Sequence, residues 1–249
     1  MRKLTLDRAR KRQTKPVNSS RVERVYASQL KAVARNIGMI VNGYDPTDPL
    51  SYSIIGNLLN MYAEALEPWA AITAKRMLES ASNEDLKGWR KITQEIGLGI
   101  KEEIATAPTG AAMRKLMNEQ ITLIKSLPIE AAQRVHELAI RSLDNGERAA
   151  TYVEEIMRTG EVTRSRAMLI ARTEVSRATT TFTQARAEYA GSEGYIWRTA
   201  HDGDVRKSHK AMEGRFVRWD SPPTLDNLTG HAGSVPNCRC YPEVVLKDE

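Results

Sequence analysis

The sequence predicts an α+β protein: a mostly α-helical N-terminal region followed by a small α+β C-terminal domain with a short antiparallel sheet. Three observations carry this reading. Apolar residues recur at helical spacing through most of the first 190 positions. The chain has only two phenylalanines while alanine is abundant, which favours close-packed helices over an all-β sandwich. After Gly194, short runs rich in strand formers appear: YIWRTA, GRFVRW and YPEVVL.

The elements follow in order along three segments: a basic flexible arm (1–19), a helical region (20–160) and a C-terminal domain (161–249). SSRVERVYASQLKAVARNIGMIVNGY reads as a helix, with Ser19 or Ser20 available as its cap and Val22, Val25, Leu30, Val33 and Ile37 as its apolar face. GYDPTDPLS breaks it, because its prolines and aspartates favour turns. A helix resumes at Tyr52, and Pro68 ends or kinks it. EPWAAITAKRMLESAS continues as a second piece. Ser82 or Asn83 then caps a further helix whose first turn is acidic, as the helix dipole prefers.

AAMRKLMNEQITLIKSL is a strong helical pattern that Pro128 is expected to stop. A new helix starts at that proline and ends at Asn145-Gly146, and a short one ends at Gly160. The longest periodic segment runs from Thr163 to Gly191. Ala171, Val175, Ala178, Phe182, Ala185 and Tyr189 form its narrow apolar seam. In the tail, a short helix is expected at about Val205 to Met212, and DSPPTLDNLTGHAGSVPN is expected as a loop.

Composition narrows the function classes. No apolar run approaches the ~20 residues needed to span a bilayer, so no membrane partner is expected. The basic N-terminus lacks the apolar core of a secretory signal, and two cysteines make no disulfide framework. Net charge is +6, and it is unevenly spread. The excess sits in the first 36 residues, led by Arg2, Lys3, Arg8, Arg10, Lys11, Arg12 and Lys15. Such an arm attracts nucleic acid or an acidic protein surface. A solvated tail is the plain alternative. No aromatic interrupts it before Tyr26, which argues against a single-strand stacking platform.

Several spaced elements of the tail occur together. IARTEVSRA is followed by Gly194, Trp197, Thr199, Asp202 or Asp204, Val205, Arg206, Ser208, His209, Met212, Gly214 and Phe216, and then by PNCRC at Pro236–Cys240. Over roughly residues 120–246 this order resembles the Mu F-like minor head proteins of tailed bacteriophages, also called head morphogenesis proteins. The resemblance implies a minor virion component of the head interior, assembled in the host cytoplasm. Its partners would be the portal and capsid proteins of the same phage, together with viral double-stranded DNA. It marks Arg172, Glu174, Trp197, Asp204, Arg206, His209 and Gly214 as a structural motif. Only YPEVVLKDE follows the PNCRC element, so no additional C-terminal domain is expected; an extra Pro-Pro in the loop is a modest departure.

Cys238 and Cys240 are the only cysteines, and His201, His209 and His231 lie in the same last quarter. A disulfide across one residue would close a ring of poor geometry. Thiolates two apart in an extended segment share a face. With His209 and His231 they supply four donors suited to structural zinc, with His201 as a spare and Asp202 or Asp204 orienting an imidazole. The spacing matches no standard zinc finger, and burial as small hydrophobes with ordinary histidine hydrogen bonds is the bland alternative. An enzyme reading places Asp204, Arg206 and His209 near one helix face as a nuclease or phosphoryl-transfer site. No Walker loop, HExxH or GxSxG is present, so no enzyme is expected. Arg172, Glu174 and Arg177 read as a solvated or salt-bridged helix face. The tryptophans read as packing residues, and His136 as a core or flank residue.

Overall fold

The computed structural model describes residues 19–95, 107, 109–144 and 149–246. The expected arm, its seven basic residues and the expected stop at Asn145-Gly146 lie outside these residues, apart from Ser19. Six helices precede the first strand among the described residues: α1 (Ser20–Asn42), α2 (Pro49–Ala65), α3 (Glu67–Glu95), α4 (Gly110–Asp144), α5 (Ala149–Met157) and α6 (Thr159–Tyr189). The tail holds β1 (Gly194–Arg198), α7 (Lys207–Lys210), β2 (Phe216–Arg218), β3 (Thr224–Leu225), β4 (Leu228–Thr229) and β5 (Tyr241–Val245). The α+β class read from sequence is what the structure shows. Two compact units divide the chain, and the division cuts across the 20–160 and 161–249 segments, because α1, α3, α4 and α6 each contribute to both.

The first unit, within Glu23–Arg76 and Met117–Ala171, is helical. Its core is apolar: Leu30, Val33, Ile37, Ile55, Leu59, Ile124, Leu127, Val135 and Ile156 are buried. The α1 stripe keeps the expected spacing, except that Val25 is exposed. One buried polar contact crosses it, from Tyr26 Oη to Gln120 Oε1 at 2.9 Å. Two expected helix ends are corrected here. Pro128 does not stop its helix; it lies inside α4. A proline there deprives the Ile124 carbonyl of its donor. Burial of Ile124, Leu127 and Ala131 on the same face holds the helix through the defect. Gly160 does not end a helix either; it lies in the first turn of α6, and a Cβ on it would stand 2.9 Å from Gly38 Cα. It permits a close crossing of α1 and α6.

The second unit gathers the described residues of Met1–Val22, Met77–Leu116 and Arg172–Glu249. Its sheet has the order β2-β1-β5 with both pairings antiparallel, Tyr195 facing Val217 on one side and Val244 on the other. All three expected strands are present. Gly194 opens β1 where a Cβ would fall 2.3 Å from the Val217 carbonyl oxygen. The core beneath the sheet is aromatic, with Trp89 from α3 joining Tyr195, Trp197 and Trp219. Inside the expected loop, β3 and β4 form a small hairpin. Its two turn residues, Asp226 and Asn227, both take left-handed backbone (φ 51 and 62), which short polar side chains tolerate.

Helix α3 runs unbroken through Ser82 and Asn83, so neither is a cap. Ser82 Oγ instead accepts from Arg186 at 3.0 Å. Asp85, read as a first-turn acid, is mid-helix and fully buried. It pairs with the Arg186 guanidinium and accepts from the Thr183 hydroxyl. Burial pushes its carboxyl up to about 6, against the opposing pull of Arg186 and Thr183. This pair also redirects the end of the α6 seam. Phe182 stays buried, but Tyr189 is exposed while Thr183, Arg186 and Ala187 are buried. Helix α6 ends as expected at Gly191 (φ 78), where Ser192 N–H bonds to the Ala187 carbonyl at 2.8 Å and Gly191 N–H to that of Glu188 at 3.0 Å.

Candidate functional site

Cys238 and Cys240 lie in the segment leading into β5, and His209 lies on the single-turn helix α7. The three side chains converge. His209 Nδ1 is 3.4 Å from Cys238 Sγ and 3.6 Å from Cys240 Sγ. Relative exposures are 2 % for His209 and 4 % for each cysteine. Trp197 closes one side, its ring edge-on to the imidazole at a centroid distance of 5.4 Å. The buried indole N–H of Trp197 has no acceptor at ordinary hydrogen-bond distance, and it acts on the Cys240 sulfur by favouring the thiolate.

The loop carrying the cysteines is held by one face of α6. Thr180 Oγ1 donates to the Ala232 carbonyl at 2.8 Å, and Ser176 Oγ to the Cys238 carbonyl at 3.4 Å. Asn237 N–H donates to Thr173 Oγ1 at 3.0 Å, and Arg172 donates to Asn237 Oδ1 at 3.1 Å. Positions 173, 176 and 180 step by three and four, so they stand on one helical stripe. The loop bends to meet them at two left-handed residues, Asn237 (φ 58) and Gly233 (φ 86). A Cβ on Gly233 would meet Thr180 Oγ1 at 2.8 Å and both Ser176 Oγ and the Cys240 carbonyl at 2.9 Å. Only glycine fits that approach.

The sulfurs titrate as a pair. The Cys238 thiol is pulled down to about 5, chiefly by its hydrogen bond with Cys240 and against burial, with help from the backbone N–H groups of Cys240 and Gly233. The Cys240 thiol is pushed up by the same bond and by burial. Two sulfurs and a facing imidazole make a soft donor set, which is what a thiophilic metal binds.

Other sequence-named residues have different partners. His231 is not among the converging donors. Its ring packs edge-on against Tyr195 and Trp219 at 5.6 and 5.4 Å, and Nδ1 lies 3.3 Å from Tyr195 Oη. Tyr195 Oη already accepts from Ala232 N–H at 3.1 Å, which leaves its proton for His231. Burial holds the His231 pKa below its ordinary value, and the half-buried ring is committed to the aromatic cluster rather than to the cysteines. His201 is exposed, with Nε2 3.8 Å from Glu213 Oε2. Asp202 and Asp204 do not orient His209; they take Arg239 at 3.0 and 2.7 Å. Arg206 donates to the Pro236 carbonyl at 2.8 Å.

Asp204, Arg206 and His209 border one cavity of about 50 Å³ beside the cysteines, and each already has a partner there or at the Pro236 carbonyl. Glu174 pairs with Arg177 at 2.8 Å, and Arg172 is a loop anchor rather than a plain solvated charge. Gly214 (φ 75) turns the chain so that its N–H reaches the Trp197 carbonyl at 2.9 Å. Sequence reasoning missed Thr173, Ser176, Thr180, Gly233 and Glu213. The hydroxyl stripe at helical spacing was a usable signal. Glu213 had none: it accepts from the N–H and hydroxyl of Thr199, 2.7 and 2.8 Å away and distant in sequence.

IARTEVSRA in α6, the spaced residues from Gly194 to Phe216 and the PNCRC segment carried the resemblance, and comparison with known proteins falls on the same stretch. Residues 133–242 match the family described as Phage Mu protein F like protein. The Mu F-like stretch therefore takes in part of α4, all of α5 and α6, and the tail through the start of β5. An uncharacterized protein of Haemophilus influenzae is 29 % identical over 62 % of this chain, and this chain spans about a third (34 %) of that protein's length. The minor head protein GP7 of Bacillus phage SPP1 is 21 % identical over 92 % of this chain and 82 % of its own length. No solved structure matches.

Proposed function

We propose that the protein is a minor head protein that takes part in head morphogenesis of a tailed bacteriophage. The observation that carries this is the pairing of the Mu F-like match over 133–242 with an alignment to the SPP1 minor head protein across nearly the whole chain. In this reading the protein resides in the head interior and is assembled there in the host cytoplasm. It docks on portal or capsid subunits, and its helical unit presents the partner-specific surface. The charge of Arg2 to Lys15 suits an interior filled with phosphate. Among the described residues no helix is long and apolar enough to cross a membrane.

The polar atoms of Asp204, Arg206 and His209 contact Arg239, the Pro236 carbonyl and the two sulfurs, which supports positioning roles for them. That favours the assembly reading over a hydrolase. The test is mass spectrometry of purified procapsids and virions, with crosslinking to portal subunits in intact particles. Its presence in both, with crosslinks to the portal, is expected; absence from procapsids and virions overturns the reading. The DNA contact is tested separately: affinity for duplex DNA should fall steeply with salt, and removing residues 1–19 should abolish it.

A further inference from the structure

We propose that His209 Nδ1, Cys238 Sγ and Cys240 Sγ bind one zinc ion, with water from the adjoining cavity as its fourth ligand. A tetrahedral zinc about 2.3 Å from sulfur and about 2.05 Å from nitrogen places those two donors about 3.6 Å apart. The two observed separations are 3.4 and 3.6 Å, and all three donor atoms lie within 4.8 Å of one another, so the set has the size of a zinc site. The donor types are the ones zinc prefers. Two thiolates balance the ion's charge, so the set can sit in a buried place. The nitrogen facing both sulfurs is Nδ1, and it is therefore the ligating atom.

Two further features point to a bound cation. The Trp197 indole N–H is buried without an ordinary acceptor, on a ring that packs edge-on to the His209 imidazole at a centroid distance of 5.4 Å, so it is free to donate to a metal-bound thiolate. The cavity of about 50 Å³ opens beside His209 and both cysteines. A water needs roughly 10–15 Å³ of such space, so the fourth position has room for one. No fourth protein donor converges there among the described residues, His231 being committed to Tyr195. The ion would clip α7 to the segment entering β5, in a unit whose main sheet has three strands among the described residues.

The full chain is purified in reducing, chelator-free buffer, and its metal content is measured by elemental mass spectrometry. One zinc per chain is expected. Replacement by cobalt(II) should give a thiolate-to-cobalt charge-transfer band and the intense visible bands of a tetrahedral site. Cys240→Ser and His209→Gln should each lose at least tenfold in zinc affinity, while His231→Gln retains the metal. Wild-type chain that carries no zinc and shows no thiolate–cobalt band overturns the proposal. So does zinc that survives both substitutions, or that is lost equally in His231→Gln. Should Cys240→Ser fail to fold, the wild-type cobalt spectrum decides, because it reports the sulfurs directly. The result is separable from the head reading: a zinc-free protein found in virions would remove the ion and leave the assignment intact.

Discussion

The two compact units are held together by different physics. The helical unit is an apolar core in which Leu30, Ile37, Leu59, Ile124 and Val135 are buried and few polar side chains intrude. The sheet-bearing unit holds an aromatic cluster, yet its geometry is fixed by specific polar contacts: Thr180, Ser176 and Thr173 on the loop, and Asp85 with Arg186. Apolar packing is roughly proportional to area and tolerates exchange of similar volumes. A buried polar contact fails when one partner is removed, because the other is left unsatisfied. Volume-conserving substitutions should therefore separate the two units, and the motif residues should be intolerant in the second.

The largest effect is expected at Asp85. Asp85→Ala strands the buried Arg186 guanidinium and should cost about 3–5 kcal/mol in denaturant unfolding. Asp85→Asn keeps an acceptor for Thr183 and should cost less. The same carboxyl gives a pH signature. Its folded pKa is raised to about 6 from 3.8, so between these values the native state holds a proton the unfolded chain has released. That contribution is fully present below about pH 4 and is lost as pH rises through 6. A stability profile whose slope over this window persists unchanged in Asp85→Asn would contradict the assignment.

The next effect sharpens the contrast from the helical side. Leu59→Ala should cost about 2–5 kcal/mol, and Leu59→Met less than about 1.5 kcal/mol, measured the same way. If the methionine variant loses as much as the alanine variant, the helical core is as shape-specific as the other unit.

What the sequence made legible divides along the same line. Periodicity revealed the helices and the three strands because burial of apolar area leaves a regular trace. It failed at Pro128 and Gly160, where local propensity named a boundary and packing overrode it. It failed again at Asp85 and His231, since a charged or imidazole side chain carries no mark of whether its partner lies in solvent or some hundred residues away. Three of the four proposed donors converge. Cys238 and Cys240 share a face by local geometry, and His209 came with the spaced motif. His231 was placed with them on residue type alone, and its tyrosine partner could not be read from spacing.

A smaller effect is expected where the loop meets α6. Gly233→Ala forces a Cβ at positive φ against three polar atoms and should cost about 1–3 kcal/mol. If zinc is bound, it should also lower zinc occupancy, because the N–H of Gly233 points at Cys238.

The smallest effect is the most direct test of the comparison. Thr180→Val nearly preserves volume and helical fit, and removes only the hydroxyl that satisfies the buried Ala232 carbonyl. The loss should be about 1 kcal/mol, the cost of one buried hydrogen bond. Thr122 is the control: its exposed hydroxyl bonds only to the Asn118 carbonyl of its own helix, in the helical unit. Thr122→Val should stay within about 0.5 kcal/mol. Equal losses at both positions would mean that the hydroxyl stripe of α6 is no more than helix decoration. A selective loss at Thr180 would show that the stripe works by pinning a loop to a helix.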